Sequence, residues 1–319
     1  MRYIQLGGSD LKVSRVCLGG NSWGAKGRRA WAPFGPDESA GFFKAARDAG
    51  INFFDTAEGY NEGESERIVG DRLIGEHPRS ELVICTKSVP KAGENGVRQH
   101  IVKAVEGSLE RLKTDYIDVF CLHRLDPALP VEEALAGLED VVSSGKVRYV
   151  GASTMRPSQF ARIVTLAKQS GVARFVAMQN LHNLLYREDE HDMNLFCAEE
   201  SISTFPYSPL ARGMLSGSRL DSTAATERSA NDGYAEYYKR ENNRPIIERV
   251  VEIATARGVK PTQVALAWLL SKPAVGSPVI GATKHEHLFD AARGTELDLT
   301  AEEIARLEEK YTTTTPIFA

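Results

Sequence analysis

The chain has 319 residues, 42% of them hydrophobic and 26% charged, with a formal net charge of −4 at pH 7. Those proportions suit a globular enzyme, and a mildly acidic chain without long runs of one sign lacks the basic footprint of a nucleic-acid binder. The length exceeds the usual domain, yet α/β barrels run to about 250 residues, and further with insertions, so length alone suits one large domain over 1–319 as well as two.

Short alternating runs at 3–6 and 11–16, separated by Gly7-Gly8-Ser9-Asp10, predict a hairpin that could cap one end of a barrel. A buried-strand pattern at 16–20 ends in glycines, and a loop with Trp23 and Trp31 leads to an amphipathic helix at 37–49. Further strand patterns fall at 51–55, 82–87, 117–122, 147–152, 175–179, 202–205 and 279–281. Helical patterns lie between them, among others 96–112 with Val97, Ile101, Ala104, Val105, Leu109 and Leu112, and 131–144 with Leu135, Leu138 and Val142. Eight strand-helix units at this spacing predict an α/β fold, a single (β/α)8 TIM barrel. The alternative is an open doubly wound sheet, but no G-x-G-x-x-G follows the first strand.

The spacing breaks once, between 205 and 279. Residues 213–244 are rich in Ser, Thr, Asn and Asp, with Tyr234, Tyr237 and Tyr238 among them, and read as a loop inserted over the active-site rim. Helices follow at 245–257 and 262–270, the second with Thr262 as its N-cap after Pro261. After the last strand come helices at 286–293 and 301–309 and a short tail, 311–319. Cys17, Cys85, Cys121 and Cys197 form no CxxC pair and read as reduced thiols. With no apolar signal-peptide core and no segment near the roughly 20 apolar residues of a membrane span, the cytoplasm is the expected compartment. No His/Cys/Asp cluster has ligand spacing, so no metal is expected.

Three strand ends carry polar groups: Asp55, Lys87 and His123, with Tyr60 five residues after Asp55. By the period of two, Phe53 and Asp55, Cys85 and Lys87, and Cys121 and His123 share a face, so the polar groups would crown inward-facing rows. Singly, Asp55 could cap a turn, Lys87 could be a solvated strand end, His123 a loop histidine and Tyr60 a rim aromatic. Together they suit carbonyl reduction, which needs a proton donor for the developing alkoxide. A free phenol, with a pKa of ~10, is a weak acid at neutral pH. A nearby ammonium favours the phenolate, an aspartate keeps that ammonium charged, and a histidine adds a hydrogen bond to the carbonyl oxygen.

With these residues in place the chain resembles an aldo-keto reductase over nearly all its length. The stretches that carry the likeness are F-D-T-A-E-G-Y-N-E-G-E-S-E at 54–66, T-K at 86–87, L-H at 122–123, G-A-S at 151–153, M-Q-N at 178–180, Y-S-P-L-A-R-G at 207–213 and I-G-A-T-K at 280–284. The overall spacing, together with L-A-R-G-M-L and the ending P-I-F-A, is most similar to bacterial members of the YajO-like group, near the potassium-channel β-subunit branch. The resemblance implies NADP(H) lying across the barrel's C-terminal face, and Asp55, Tyr60, Lys87 and His123 as the catalytic four. It assigns Ser153 and Gln179 to the nicotinamide amide, Tyr207 to ring stacking, and Ser208, Leu210 and Gly213 to the pyrophosphate. It places Gly281 in the cofactor site, Thr283 and Lys284 at the 2′-phosphate, and His287 and Asp290 at the adenine end. Thr154 stands where many members have asparagine, and Ala291 where an asparagine meets adenine. Lys284 read without the family is a surface lysine before a helix.

Trp23, Trp31, the inserted loop and the tail would form the pocket for a small-molecule aldehyde or ketone, although the tryptophans fit packing roles equally well. Two other readings remain open at this point: a nicotinamide-binding sensor or partner subunit, and a Schiff-base lyase with Lys87 as the amine nucleophile. The oligomeric state is not legible.

Overall fold

The structure, a computed structural model, describes residues 1–24, 34–93, 95–172, 174–218, 238 and 240–314. Trp31, Tyr234, Tyr237, most of the insertion read at 213–244 and the end of the tail lie outside the described residues.

The expected barrel forms. Its strands are β3 (Cys17–Gly19), β4 (Phe53–Asp55), β5 (Val83–Ser88), β6 (Ile117–Leu122), β7 (Val147–Ser153), β8 (Phe175–Gln179), β9 (Ser203–Thr204) and β10 (Val279–Ile280). All pair in parallel in the order β10-β3-β4-β5-β6-β7-β8-β9. The ring closes through single bridges, Thr204 to Val275 and Tyr207 to Val279, and the Val279 N–H donates to the Pro206 oxygen at 2.8 Å. Ahead of the ring, β1 (Tyr3–Gln5) and β2 (Lys12–Ser14) form the predicted antiparallel hairpin. Its Leu6, Leu11 and Val13 enter one apolar cluster with the inward residues Cys17, Phe53, Cys85, Val119, Cys121 and Phe205. The hairpin therefore plugs the N-terminal mouth, leaving the C-terminal mouth for chemistry. At the hairpin turn Gly7 has φ +54°, and a Cβ there would lie 2.2 Å from the Val176 oxygen, so neither the torsion nor the space admits another residue.

The outer sheath begins with α1 (Pro36–Asp48), α2 (Glu64–Val69), α3 (Gly96–Leu112), α4 (Val131–Ser143), α5 (Pro157–Ser170) and α6 (Met193–Glu199). It continues with α7 (Arg244–Arg257), α8 (Pro261–Leu270), α9 (Glu286–Gly294) and α10 (Ala301–Glu308). In α3 the buried residues Val97, Ile101, Ala104, Val105 and Leu112 recur at helical spacing and face the sheet, each large one contributing about 1.5–3 kcal/mol by burial. Helix α8 corrects one expectation: Pro261 is the first helical residue and Thr262 lies inside, while the Gln263 side chain accepts the Lys260 N–H at 3.1 Å. A proline suits that first position, because its missing N–H would have no partner there and its φ is already helical. Among the described residues no helix is long and apolar enough to cross a membrane.

Candidate active site

The loops at the C-terminal mouth extend the strand ladders by a step. Thr56 N–H donates to the Cys85 oxygen (2.8 Å), Glu58 N–H to the Lys87 oxygen (3.0 Å) and His123 N–H to the Ser88 oxygen (2.8 Å). Those bonds carry the order of the sheet into the segments that bear Tyr60 and His123.

Lys87 is fully buried, on the inward face of β5. Its Nζ donates to Asp55 Oδ1 at 2.6 Å and to the Thr56 carbonyl at 2.7 Å, and Gln179 Nε2 donates to the same Asp55 oxygen at 2.9 Å. Burial pulls the lysine toward its neutral form, but Asp55, followed by Tyr60, outweighs it and holds the ammonium pKa above the ordinary lysine value. A Schiff-base nucleophile needs a neutral, reachable amine; Lys87 offers neither, so that reading falls.

Tyr60 arrives on a turn made from unusual torsions. Its N–H donates to the Ala57 oxygen at 3.0 Å, and Asn61 (φ 47°), Glu62 (φ 56°) and Gly63 (φ 84°) then run through the left-handed region. Two side-chain-bearing residues in that region are held only where surrounding contacts determine the chain path. One such contact is the Asn61 amide, which donates to the Trp23 carbonyl. The turn sets the Tyr60 ring 4.8 Å from Lys87 Nζ and 5.7 Å from the His123 ring, edge to face at 84°. Burial, then Lys87 and Arg124, push the His123 imidazole down to a pKa of about 3, so it stands neutral at physiological pH. The arrangement is a phenol with a fixed cation and a neutral imidazole both close to its ring, at the C-terminal mouth of the barrel.

Ser153, Gln179 and Tyr207 occupy neighbouring positions along the rim, at the ends of β7 and β8 and just beyond β9. Ser153 Oγ lies 3.1 Å from Thr154 Oγ1, and Thr154 takes φ 49°. Burial raises the Tyr207 phenol well above its usual range, opposed by a hydrogen bond from Thr154. The backbone N–H of Tyr207 donates to the Asn180 oxygen at 2.9 Å. Beyond it, Ser208 (φ 53°) and the consecutive Ala211 (φ 46°), Arg212 (φ 58°) and Gly213 (φ 87°) take left-handed torsions on either side of Leu210 (φ −101°). The loop turns sharply there, with the Ala211 N–H donating to the Ser208 oxygen at 2.9 Å and the Gly213 N–H to the Leu210 oxygen at 2.8 Å. Sequence reasoning missed the residue that holds this loop: Asn183, wholly buried, donates from Nδ2 to the Ser208 oxygen (3.0 Å) and to Tyr238 Oη (3.2 Å). Tyr238, expected over the rim, is thereby a buried anchor. The sequence holds no signal for Asn183, which lies in a loop 25 residues from its partner.

At the other end of the rim Gly281, Thr283 and Lys284 are exposed. Lys284 Nζ has Glu286 at 3.7 Å, and His287 Nδ1 accepts the Thr283 N–H at 3.4 Å. Asp290 departs from its expected place facing adenine: its buried carboxylate is taken by Lys260 (2.6 Å) and Arg293 (3.2 Å) and braces α9. Trp23 departs as well, being 2% exposed and packed edge-on to Phe43 at 4.5 Å. A Cβ on Gly20 would lie 2.7 Å from the Trp23 ring, so the indole fills the wall and not the pocket. Among the described residues no group of three or more His, Cys, Asp or Glu side chains could hold a metal ion.

Comparison with known proteins bears on this geometry. The model of the Aldo/keto reductase family matches residues 15–312. Versiconal hemiacetal acetate reductase of Aspergillus parasiticus is 38% identical over 98% of this chain and 97% of its own length. A putative aryl-alcohol dehydrogenase of Schizosaccharomyces pombe is 41% identical, covering 97% of this chain and 95% of its own. Among solved structures, a thermostable aldo-keto reductase in complex with the inhibitor epalrestat superposes with a TM-score of 0.77 at 27% identity, spanning 98% of this chain and all of that one.

Proposed function

The chain belongs to the aldo/keto reductase family and is an oxidoreductase, and from that premise we propose that it works as one barrel domain that reduces aldehydes or ketones with NADPH, reversibly, with Tyr60 as the proton donor. The observation that carries the reading is the buried Asp55–Lys87 pair, with Lys87 Nζ 4.8 Å from the Tyr60 ring and a neutral imidazole 5.7 Å from that ring.

The rim suits a nicotinamide dinucleotide. Gln179 already gives its amide N–H to Asp55, which leaves its carbonyl oxygen to accept from a carboxamide, and Ser153 lies beside it. Tyr207 presents a ring at the neighbouring strand end, and the curled backbone at 208–213 suits a pyrophosphate. When bound, the reduced nicotinamide supplies a hydride to the substrate carbonyl carbon. Tyr60 gives its proton to the carbonyl oxygen, and the Lys87 ammonium favours the phenolate left behind. Asp55 and the Thr56 carbonyl keep that ammonium charged and in place, while His123 donates an N–H to the same carbonyl oxygen. Lys284, with Thr283, supports a preference for the 2′-phosphate of NADPH as a point charge. For substrate, the names of the fungal relatives, one an aryl-alcohol dehydrogenase and one a hemiacetal acetate reductase, support aryl carbonyl compounds. The YajO-like subgroup rests on L-A-R-G-M-L and the chain's ending, and those relatives are the better guide.

The test is NADPH oxidation across a panel of aryl aldehydes and ketones by the native protein and by Tyr60→Phe. Tyr60→Phe should lower kcat by roughly 10³-fold, the size expected for loss of a general acid, and leave NADPH affinity within about twofold. Turnover that survives in this variant with an unchanged pH profile would remove Tyr60 as the acid.

A further inference from the structure

Glu66 follows the Tyr60 turn by one helical turn and is wholly buried on α2. An ionised carboxylate taken out of water costs several kcal/mol unless donors surround it. Here Oε1 accepts from Thr86 Oγ1 at 2.5 Å and Oε2 from Arg111 Nε at 2.6 Å. Thr86 is also wholly buried, and it precedes Lys87 on β5. By the period of two, Thr86 faces outward because Lys87 faces inward, so whatever holds Thr86 along the strand also holds Lys87. Arg111, from α3, crosses the other side of the turn: a Cβ on Gly63 would lie 2.8 Å from Arg111 Cδ. Its Nη2 donates to Ser108 Oγ at 3.3 Å, which fixes the guanidinium to its own helix.

We propose that Glu66 is a positioning residue that clamps the Tyr60-bearing turn to the Lys87-bearing strand, with Thr86 and Arg111 as its two grips, and so sets the spacing between the phenol and the ammonium. The other polar tie from α2 leads elsewhere: Ser65 Oγ donates to the Gly20 oxygen at 2.8 Å and meets Thr56 Oγ1 at 2.7 Å, holding the helix to the ends of β3 and β4. Glu66 supplies the matching connection to β5. Among the described residues, charged and titratable groups that face Tyr60 include Lys87 from β5, paired with Asp55 from β4, and His123 after β6; Glu66 acts on Lys87 through the backbone of β5. The inference deepens the proposed reaction and rests on Tyr60 being its acid.

Thr86→Val tests it, because valine keeps the shape of threonine and leaves the Glu66–Arg111 pair whole while removing one grip. The measurements are kcat for reduction of an aryl aldehyde from pH 6 to 10, NADPH affinity, and Tm, with Thr86→Ser and Tyr60→Phe alongside. In Thr86→Val, kcat should fall about tenfold through misplacement of the pair. The basic limb, which reports loss of the Tyr60 proton, should rise by about one pH unit as the ammonium draws away. NADPH affinity should hold, and Thr86→Ser, which restores the hydroxyl, should behave as the native protein. A native kcat and limb in Thr86→Val overturns the clamp, as does a Thr86→Ser variant that is equally impaired. Thr86→Ala replaces the valine variant, read the same way, if the latter does not fold. An active Tyr60→Phe overturns the functional reading and the clamp with it; an inactive Tyr60→Phe beside an unperturbed Thr86→Val overturns the clamp alone.

Discussion

Lys87 and Lys284 both stand beyond or at the C-terminal ends of barrel strands, yet they are built in opposite ways. Lys87 is wholly buried with oxygen acceptors at 2.6 and 2.7 Å, whereas the Lys284 side chain is 70% exposed and its paired carboxylate is 3.7 Å away. The first charge is fixed during folding, in a place where water cannot compete, and it acts on Tyr60 whether or not a ligand is present. The second is solvated and screened, and gains a strong partner only when an anion reaches it. On the proposed reading, the group that tunes the proton is locked in advance and the group that grips the far end of the cofactor stays loose.

Lys87→Met presses hardest on that contrast. It should abolish measurable reduction, and it should also lower stability by about 3–5 kcal/mol, because Asp55 is left buried without its cation. Adding Asp55→Asn to it should restore much of the Tm and none of the turnover. A Lys87→Met protein as stable as the native one would mean that Asp55 does not depend on Lys87 to be buried as an ion. His123→Gln is next: kcat should fall about 10²-fold, the usual scale for one lost hydrogen bond to the reacting oxygen. The shape of its rate profile between pH 5 and 7 should match the native one, since an imidazole with a pKa of about 3 does not titrate there. For stability the sign is set by the unfolded chain, which takes up a histidine proton below about 6.5 that the folded site refuses until about 3. The native protein therefore loses stability as pH falls through that window, and His123→Gln should flatten part of the loss in acid melting curves. The smallest effect belongs to Lys284→Ala, which should raise KM for NADPH about tenfold, leave KM for NADH and Tm unchanged, and matter less as salt rises. Equal effects on both cofactors would undo the assignment of the 2′-phosphate.

The parts of the molecule that local patterns specify were legible from the chain. Strands at 117–122 and 175–179 and the helix at 96–112 have the bounds their periodicities predict, and the residues that crown the strands converge on one mouth. What escaped depends on partners distant in sequence. The strand expected from Ile51 starts at Phe53, because the Asn52 side chain is turned to the hairpin, accepting the Ser14 N–H at 2.7 Å and donating to the Lys12 oxygen at 2.9 Å. Asp290 reads as a free rim carboxylate until Lys260, 30 residues earlier, is folded against it. Trp23 suits a pocket or a wall, and only the bare Gly20 beneath it decides. The left-handed run at Asn61 and Glu62 has no sequence signal beyond the glycine that ends it.

The hairpin plug has a consequence for how the chain is made. Gly7 N–H donates to Ser203 Oγ at 2.8 Å, and Arg2 Nη1 binds Asp298 at 2.7 Å, so the hairpin is seated by residues 196 and 296 positions later in the sequence. β3 likewise waits for β10 to complete its ladder. Strands β4 to β8 can accumulate during synthesis, while the floor of the barrel must remain open, its Phe53 and Phe205 uncovered, until the C-terminal third arrives. A nascent chain that stalls before Ser203 is thus the form most in need of a chaperone, because the residues that seat the hairpin have not yet been made.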